Sequence, residues 1–259
     1  MRANSLSPIH GSAAQAPTLA LKLNAFTRLS VEDIEALQRL TRSVRSVEPR
    51  RDIMREGEQP LHVHLAVKGW GCRYKSLPDG KRQVVGFFLP GDFCDLNAYA
   101  LKEMDHSIAA ITPVKVAVIG REDMESLIDS HPRIAQALRW NDLVDQGTQR
   151  EWLLNLGQRS AYARIAHLIL ELFLRLRIVG MTEGHSCDFP LTQNDIADAT
   201  GLTAVHVNRM LQELRGDGII ELERKRLTIP DLEVLKEAAM FNPNYLHLEH
   251  EGRHLDASN

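Results

Sequence analysis

The segment LTQNDIADATGLTAVHVNRMLQELRGDGIIELERKRLTI, residues 191–229, constrains the fold more than any other part of the chain. Thr192 followed three positions later by Asp195 has the form of a capping box, with a carboxylate one carbon shorter than the usual Glu. Ile196, Ala197 and Thr200 then fall on one helical face. Gly201 stands at the corner, where a helix ends in a left-handed conformation that Gly tolerates best. Thr203 is a good N-cap for a second helix. In that helix Val207, Met210, Leu211 and Leu214 have the spacing of a buried stripe, and Ala204, Val205, Asn208, Arg209 and Gln212 lie opposite. Two short helices about a tight corner fit an αα-corner of a helical core as well as a helix-turn-helix, whose second helix enters the DNA major groove. The residues after the second helix favour the helix-turn-helix. Gly216 and Gly218 stop the helix, and the apolar runs 219–222 and 227–229 flank Glu223-Arg224-Lys225-Arg226. This pattern predicts a β-hairpin with a basic tip, the wing of a winged helix, well placed for phosphates.

The first half of the chain obeys a different period. Short strand-like runs at 61–68, 69–77, 82–89, 107–112 and 114–119 are punctuated by Lys68-Gly69, Pro78-Asp79-Gly80 and Pro90-Gly91-Asp92. Many short strands with such turns mean a jelly roll or barrel. A helix is expected over 26–40, with Ser30 as N-cap, and residues 1–24 read as a mostly disordered leader. Between the halves a long helix starts at Pro132. Ile134, Asn141, Thr148 and Asn155 repeat every seven residues along it, with Ala137 and Val144 at intermediate positions. That is a partly polar seam suited to a dimer helix, or one face of a helix packed on its own β-roll. Gly147 weakens this helix by about 1 kcal/mol relative to Ala. A further helix, 161–177, begins at Ser160, and its Ile165, Leu168, Ile169, Leu172, Phe173 and Leu176 read as core. The expected class is α+β: a leader (1–24), a β-roll sensor (25–125), a dimerisation helix (126–157), a winged helix-turn-helix (158–235) and a tail (236–259).

With 259 residues and 44% hydrophobic content, the chain suits one or two soluble domains. No run approaches the roughly 18 apolar residues of a membrane span, and the N-terminus lacks a signal peptide's apolar stretch. Cys72, Cys94 and Cys187 cannot form a disulfide framework, so a reduced, cytoplasmic setting is the simplest. The net charge of −3 means that any DNA affinity must come from local basic surface.

The motifs L-T-x-x-D-I-A at 191–197, G-L-T at 201–203, V-x-R-x-L-x-x-L at 207–214 and G-I-I at 218–220 resemble the DNA-binding end of the Crp/Fnr superfamily of bacterial transcription regulators. G-x-x-P at 57–60, L-P-D-G-K-R at 77–82 and F-x-P-G-D-F at 88–93 resemble the cyclic-nucleotide-binding β-roll that precedes it in that family. The resemblance covers about residues 25–235. It implies a homodimer on a near-palindromic site in double-stranded DNA, with RNA polymerase as the partner recruited or blocked. It also implies that Ala204, Val205 and Arg209 address bases, Arg209 pairing bidentately with guanine. Thr203, His206, Asn208 and Gln212 complete the candidate reading face, with Arg224, Lys225 and Arg226 on the backbone. Ala204 and Val205 depart from a charged pair common in the family and offer apolar contact, for instance to a thymine methyl.

In the resembling pocket a Gly-Glu pair follows a Phe, and an Arg further on binds the cyclic phosphate. Here Phe93 is followed by Cys94, Asp95 and Leu96, and no Arg lies between Gln83 and Gly120. The only cations there are Lys102, Lys115 and, when protonated, His106. A phosphate would lack its forked donor, so cyclic AMP is not the expected effector, and no cofactor is predicted. The candidate pocket comprises Phe93, Cys94, Asp95, Leu96, His106 and Thr148. An iron–sulfur cluster normally needs four thiolates, and the chain has three Cys, widely separated. A redox- or haem-sensing regulator of the same family stays open as the alternative, with a His or Cys as haem ligand, although no spacing marks the site. A thiol switch at Cys94 needs an electropositive setting, yet Asp92 and Asp95 adjoin it. His247, His250 and His254 could hold a metal, although a solvated chain end is the simpler reading. The cupin-like pair His62 and His64 lacks the Glu that completes a metal site, and no nucleophile–base pair stands out, so an enzyme is not expected.

Overall fold

The computed structural model describes residues 18–248. It opens with helix α1 (Thr18–Asn24), whose Leu19, Ala20 and Leu23 are buried. Residues 18–24, expected as part of a disordered leader, are thus a packed helix; these apolar side chains find a floor against a later helix that no local pattern announces. Helix α2 (Val31–Leu40) starts at the expected cap: Ser30 Oγ accepts from the Asp33 amide (3.2 Å), and Asp33 Oδ2 accepts from the Ser30 amide (2.8 Å). Residues 25–27 form a turn and lie outside that helix.

Seven strands come next: β1 (Val44–Val47), β2 (Asp52–Met54), β3 (His62–Lys68), β4 (Gly71–Ser76), β5 (Arg82–Phe88), β6 (Ser107–Ala110) and β7 (Val114–Gly120). They make two antiparallel sheets, ordered β1-β7-β3 and β2-β6-β4-β5. Val63, Leu65, Phe87, Ala117 and Ile119 contribute to the core between them. The strand-like runs of the sequence do not include β1 and β2, which are short, flanked by charge and placed at sheet edges.

Helix α3 (Arg121–Ser130) and helix α4 (Pro132–Gly157) are separate, broken at His131 before Pro132. Ile134, Ala137, Asn141, Val144 and Asn155 are buried within the single chain, and Thr148 on the same face is half-buried. The seven-residue series is thus an internal face, not a free dimer seam: α1, β5 and the C-terminal segment cover it. Leu143, Leu153 and Leu154 occupy the outward side.

Helix α5 (Ala161–Ile178) carries its predicted apolar residues inward, together with the buried polar His167 and Glu171. Strand β8 (Ser186–Asp188), helix α6 (Gln193–Thr200), helix α7 (Ala204–Gly216), strands β9 (Glu221–Glu223) and β10 (Arg226–Thr228) and helix α8 (Leu232–Ala238) complete the second unit. Its small sheet is ordered β8-β10-β9. The chain beyond residue 235 is not a solvated tail as far as residue 248. Ala239, Phe241, Tyr245 and Leu246 are buried, and Tyr245 Oη donates to Glu171 Oε2 (2.9 Å). This explains Gly147: a Cβ there would lie 3.1 Å from the Tyr245 carbonyl, so Gly admits the returning backbone. His250 and His254 lie outside the described residues. Among the described residues, no helix is long and apolar enough to cross a membrane.

Candidate nucleic-acid interface and sensor pocket

The corner between α6 and α7 is built as its local chemistry requires. Thr192 Oγ1 accepts from the Asp195 amide (3.2 Å), and Asp195 Oδ2 accepts from the Thr192 amide (2.9 Å). Gly201 has φ +66°, and Thr203 Oγ1 caps α7 by accepting from the His206 amide (3.2 Å). Val207, Met210, Leu211 and Leu214 are buried against α5 and α6. That leaves Thr203, Val205, Arg209 and Gln212 exposed on one side of α7, with Ala204, His206 and Asn208 half-buried among them. Val205 is 82% exposed, a large apolar side chain with no packing role in this chain. Arg164 fixes the corner from behind: its guanidinium donates to the carbonyls of Thr200 (2.7 Å), Leu156 (3.1 Å) and Arg159 (3.1 Å).

At the wing tip, Arg224 and Lys225 take the two left-handed positions, with φ +48° and +66°. Asn and Gly enter that region more easily, so a cationic tip is kept at a conformational cost. Both side chains are exposed. Arg226 differs from them: it pairs with Glu183 (2.5 Å) and Asp188 (3.8 Å), which neutralise it locally. Two of the three expected wing cations therefore face outward unpaired.

The pocket residues divide. Asp95, Leu96 and His106 share a polar cavity of about 170 Å³ with Asp142 and Asp145 of α4. Phe93 and Cys94 point into the β-roll core. Thr148 lines a different cleft, beside Asp92 and Arg175. The cavity also holds a residue that sequence reasoning missed. Arg73 reaches it from β4, donating through Nε to the Cys94 carbonyl (2.5 Å) and through Nη2 to the Phe93 carbonyl (2.9 Å). It pairs with Asp145 at 3.6 Å. Arg73 precedes the span 83–120 in which the sequence offers no Arg, yet β4 lies in the same sheet as β5 and β6. Its only trace in the sequence is the alternation along β4. His106 Nε2 lies 3.6 Å from Asp95 Oδ2. Burial, and then the charges of Asp145 and Asp95, raise the Asp142 carboxyl, although Asn97 opposes the shift. The cavity thus presents three carboxylates, and its guanidinium is already committed.

Cys94 is fully buried, and burial pushes its thiol up to about 12. Such a thiol carries almost no nucleophilic thiolate near neutrality, which removes the basis for a switch there. His62 and His64 share a strand face, and burial and then the neighbouring Arg45 push His64 down to about 4, which keeps its imidazole in the neutral form that a metal ligand needs. The Arg45 guanidinium itself opposes a metal cation. Among the described residues, no three His, Cys, Asp or Glu side chains gather as a metal site.

Residues 163–238 match the family model described as a Crp-like helix-turn-helix domain, and residues 44–131 match that of a cyclic nucleotide-binding domain. The transcriptional activatory protein AadR of Rhodopseudomonas palustris is 32% identical over 198 residues, covering 74% of this chain and 79% of that one. The transcriptional activator protein FnrL of Cereibacter sphaeroides is 29% identical over 216 residues, covering 82% and 86%. Among solved structures, FixK2 from Bradyrhizobium japonicum superposes with a TM-score of 0.66 at 25% identity, covering 76% of this chain and 96% of that chain.

Proposed function

The chain belongs to the Crp/Fnr family of transcription regulators, and from that premise we propose that it binds a near-palindromic promoter site as a homodimer and acts there on RNA polymerase. Each subunit lays α7 in the major groove and sets the β9–β10 tip on the phosphates. The observation that carries this reading is the exposed row of Val205, Arg209 and Gln212 beside two unpaired wing cations. Arg209 reads a guanine, Val205 contacts a thymine methyl, and Thr203, Ala204, His206 and Asn208 complete the face. Arg224 and Lys225 contact the backbone; Arg226 is held by carboxylates and contributes little. The subunits meet through the outward side of α4, where Leu143 and Leu153 stand exposed, rather than through the buried series from Ile134.

The effector is not cyclic AMP. Three carboxylates around a committed Arg73 repel a cyclic phosphate and leave it no forked donor. Calorimetric titration should detect no binding, and micromolar or tighter binding would overturn this part of the reading.

Selection from random duplexes, with quantitative binding to the enriched site, tests the DNA interface. Arg209→Ala should relax the choice at one base pair per half-site by about 1–3 kcal/mol. Lys225→Ala should weaken all sequences alike and lower the salt slope by about one. Unaltered sequence preference in Arg209→Ala would show that the docking register is wrong.

A further inference from the structure

The DNA-reading unit is docked on the chain's own β-roll. Trp70 and Phe189 meet edge to face, ring centres 5.9 Å apart, and Gln83 Nε2 donates to the Ala199 carbonyl at the end of α6 (3.3 Å). The strongest contact lies at the other end of α6. Both Nη atoms of Arg50 donate to the Asp195 carboxylate, Nη2 to Oδ2 at 2.9 Å and Nη1 to Oδ1. This is the carboxylate that starts α6 by accepting from Thr192, so one side chain serves the helix cap and the domain contact together. Asp195 is buried, and burial pushes its carboxyl up; the bonds from Arg50 and Thr192 outweigh that and hold it below its ordinary value.

The backbone of Arg50 is anchored, and its side chain is 48% exposed. The residue occupies the turn between β1 and β2 at φ +62°, a conformation that non-glycine residues seldom adopt, and its amide donates to the Ala110 carbonyl (2.8 Å). The fork therefore links a fixed point of the β-roll to the first turn of α6. The next helix, α7, begins after Gly201, Leu202 and Thr203, and its reading face stays exposed. The brace thus aims the reading face without covering it.

We propose that Arg50 is a positioning residue for DNA recognition: acting through Asp195, it fixes the angle of the reading unit on the β-roll and so the half-site spacing that the dimer accepts. No small molecule is needed to set that angle. The spacing clause rests on the homodimer proposed above, whereas the orientation clause concerns one chain.

The test compares the full-length protein with Arg50→Ala and Arg50→Lys. Three quantities are read: affinity for a single half-site duplex, affinity across two-half-site duplexes whose spacer changes one base pair at a time, and the distance distribution between nitroxides on Leu77→Cys and Glu221→Cys. Both labelled positions are exposed, and the three native cysteines are buried. With doubly labelled chains diluted into excess unlabelled protein, so that a dimer carries one labelled pair, the wild type should show one narrow distance and one preferred spacer. In Arg50→Ala the distance should broaden, the half-site affinity should hold within about twofold, and the preferred-spacer affinity should fall about fivefold to tenfold, less than a fully buried charge-assisted fork would give because the Arg50 side chain is half exposed. Arg50→Lys keeps the charge without the fork and should fall between. An unchanged distance width in Arg50→Ala would overturn the proposal, as would half-site affinity falling in parallel with that for the full site. If the wild type itself shows no spacer preference, the homodimer reading has failed; the label distances then decide the brace alone, broadening supporting it and constancy refuting it. Should Arg50→Ala not fold, Arg50→Gln is read by the same criteria.

Discussion

Asp92 ties three parts of the molecule together, and replacing it with Asn isolates the contribution of a single charge. Its Oδ1 accepts from Lys22 of α1 (2.7 Å), and its Oδ2 accepts from Arg175 of α5 (2.6 Å) and from the Leu89 amide (2.8 Å). The three side chains are only 8%, 12% and 16% exposed for Asp92, Lys22 and Arg175, so water screens them poorly. Burial alone would raise the carboxyl; the charges of Lys22 and Arg175 and the Leu89 amide outweigh it and hold its pKa well below the carboxylate range. Asp92→Asn keeps the shape and removes the charge. Breaking one partner of a buried pair costs about 3–5 kcal/mol when the remaining charge has nothing else. Here Arg175 keeps Glu171 (3.4 Å) and the Phe87 carbonyl (2.8 Å), and the Asn side-chain oxygen still accepts from Lys22, whose ion pair is with Asp92. The expected loss is therefore at the lower end, about 3 kcal/mol.

Urea unfolding followed by circular dichroism at pH 7, at fixed protein concentration because association adds stability, measures this loss. Combining the change with Lys22→Met should give a coupling of about 1 kcal/mol or more, since the two residues share one contact. The folded pKa of Asp92 is depressed, so its contribution is complete above the unfolded value near about 3.9 and is lost as pH falls below that value towards the folded one. Wild type and variant should differ by a constant amount above about pH 5 and converge in stronger acid. A variant within about 1 kcal/mol of wild type at pH 7 would refute the reasoning that this junction is a poorly screened ionic hub.

Two further outcomes are expected. Replacing both Leu143 and Leu153 with Glu on the outward side of α4 should turn the proposed dimer into a monomer by sedimentation, with the circular dichroism spectrum unchanged, because both side chains already face solvent in the single chain. Cys72, Cys94 and Cys187 are all buried, and burial pushes their thiols up to about 11, 12 and 12. A thiol reagent at pH 7.5 should therefore label none of them in the folded protein and all three in urea.

The parts of this protein legible in its sequence are those set by short-range forces. Thr192 and Asp195 find each other across one helical turn, Gly201 answers a steric demand on its own backbone, and the stripe from Val207 to Leu214 reports a period of 3.6. The exposed face of α7, proposed above to read DNA, is fixed by these, and the wing is legible too, because two strands joined by a tight turn need no distant partner to be recognised. Elsewhere the same chemistry is ambiguous until the neighbours are known. The series from Ile134 to Asn155 marks one partly polar side of α4, but periodicity cannot say whether a second subunit or the chain's own α1, β5 and C-terminal segment covers it. Gly147 looks like a weak point in a helix until the Tyr245 backbone is seen against it. Arg73, remote in sequence from residues 93–96, becomes part of their cavity only through the pairing of β4 with β5 and β6. Asp195 announces a helix start, while its bond to Arg50 spans 145 positions of chain. Local sterics and hydrogen bonds act within a turn or two and leave a readable pattern. Which surfaces meet depends on how the whole chain closes, and this the tertiary structure alone decided.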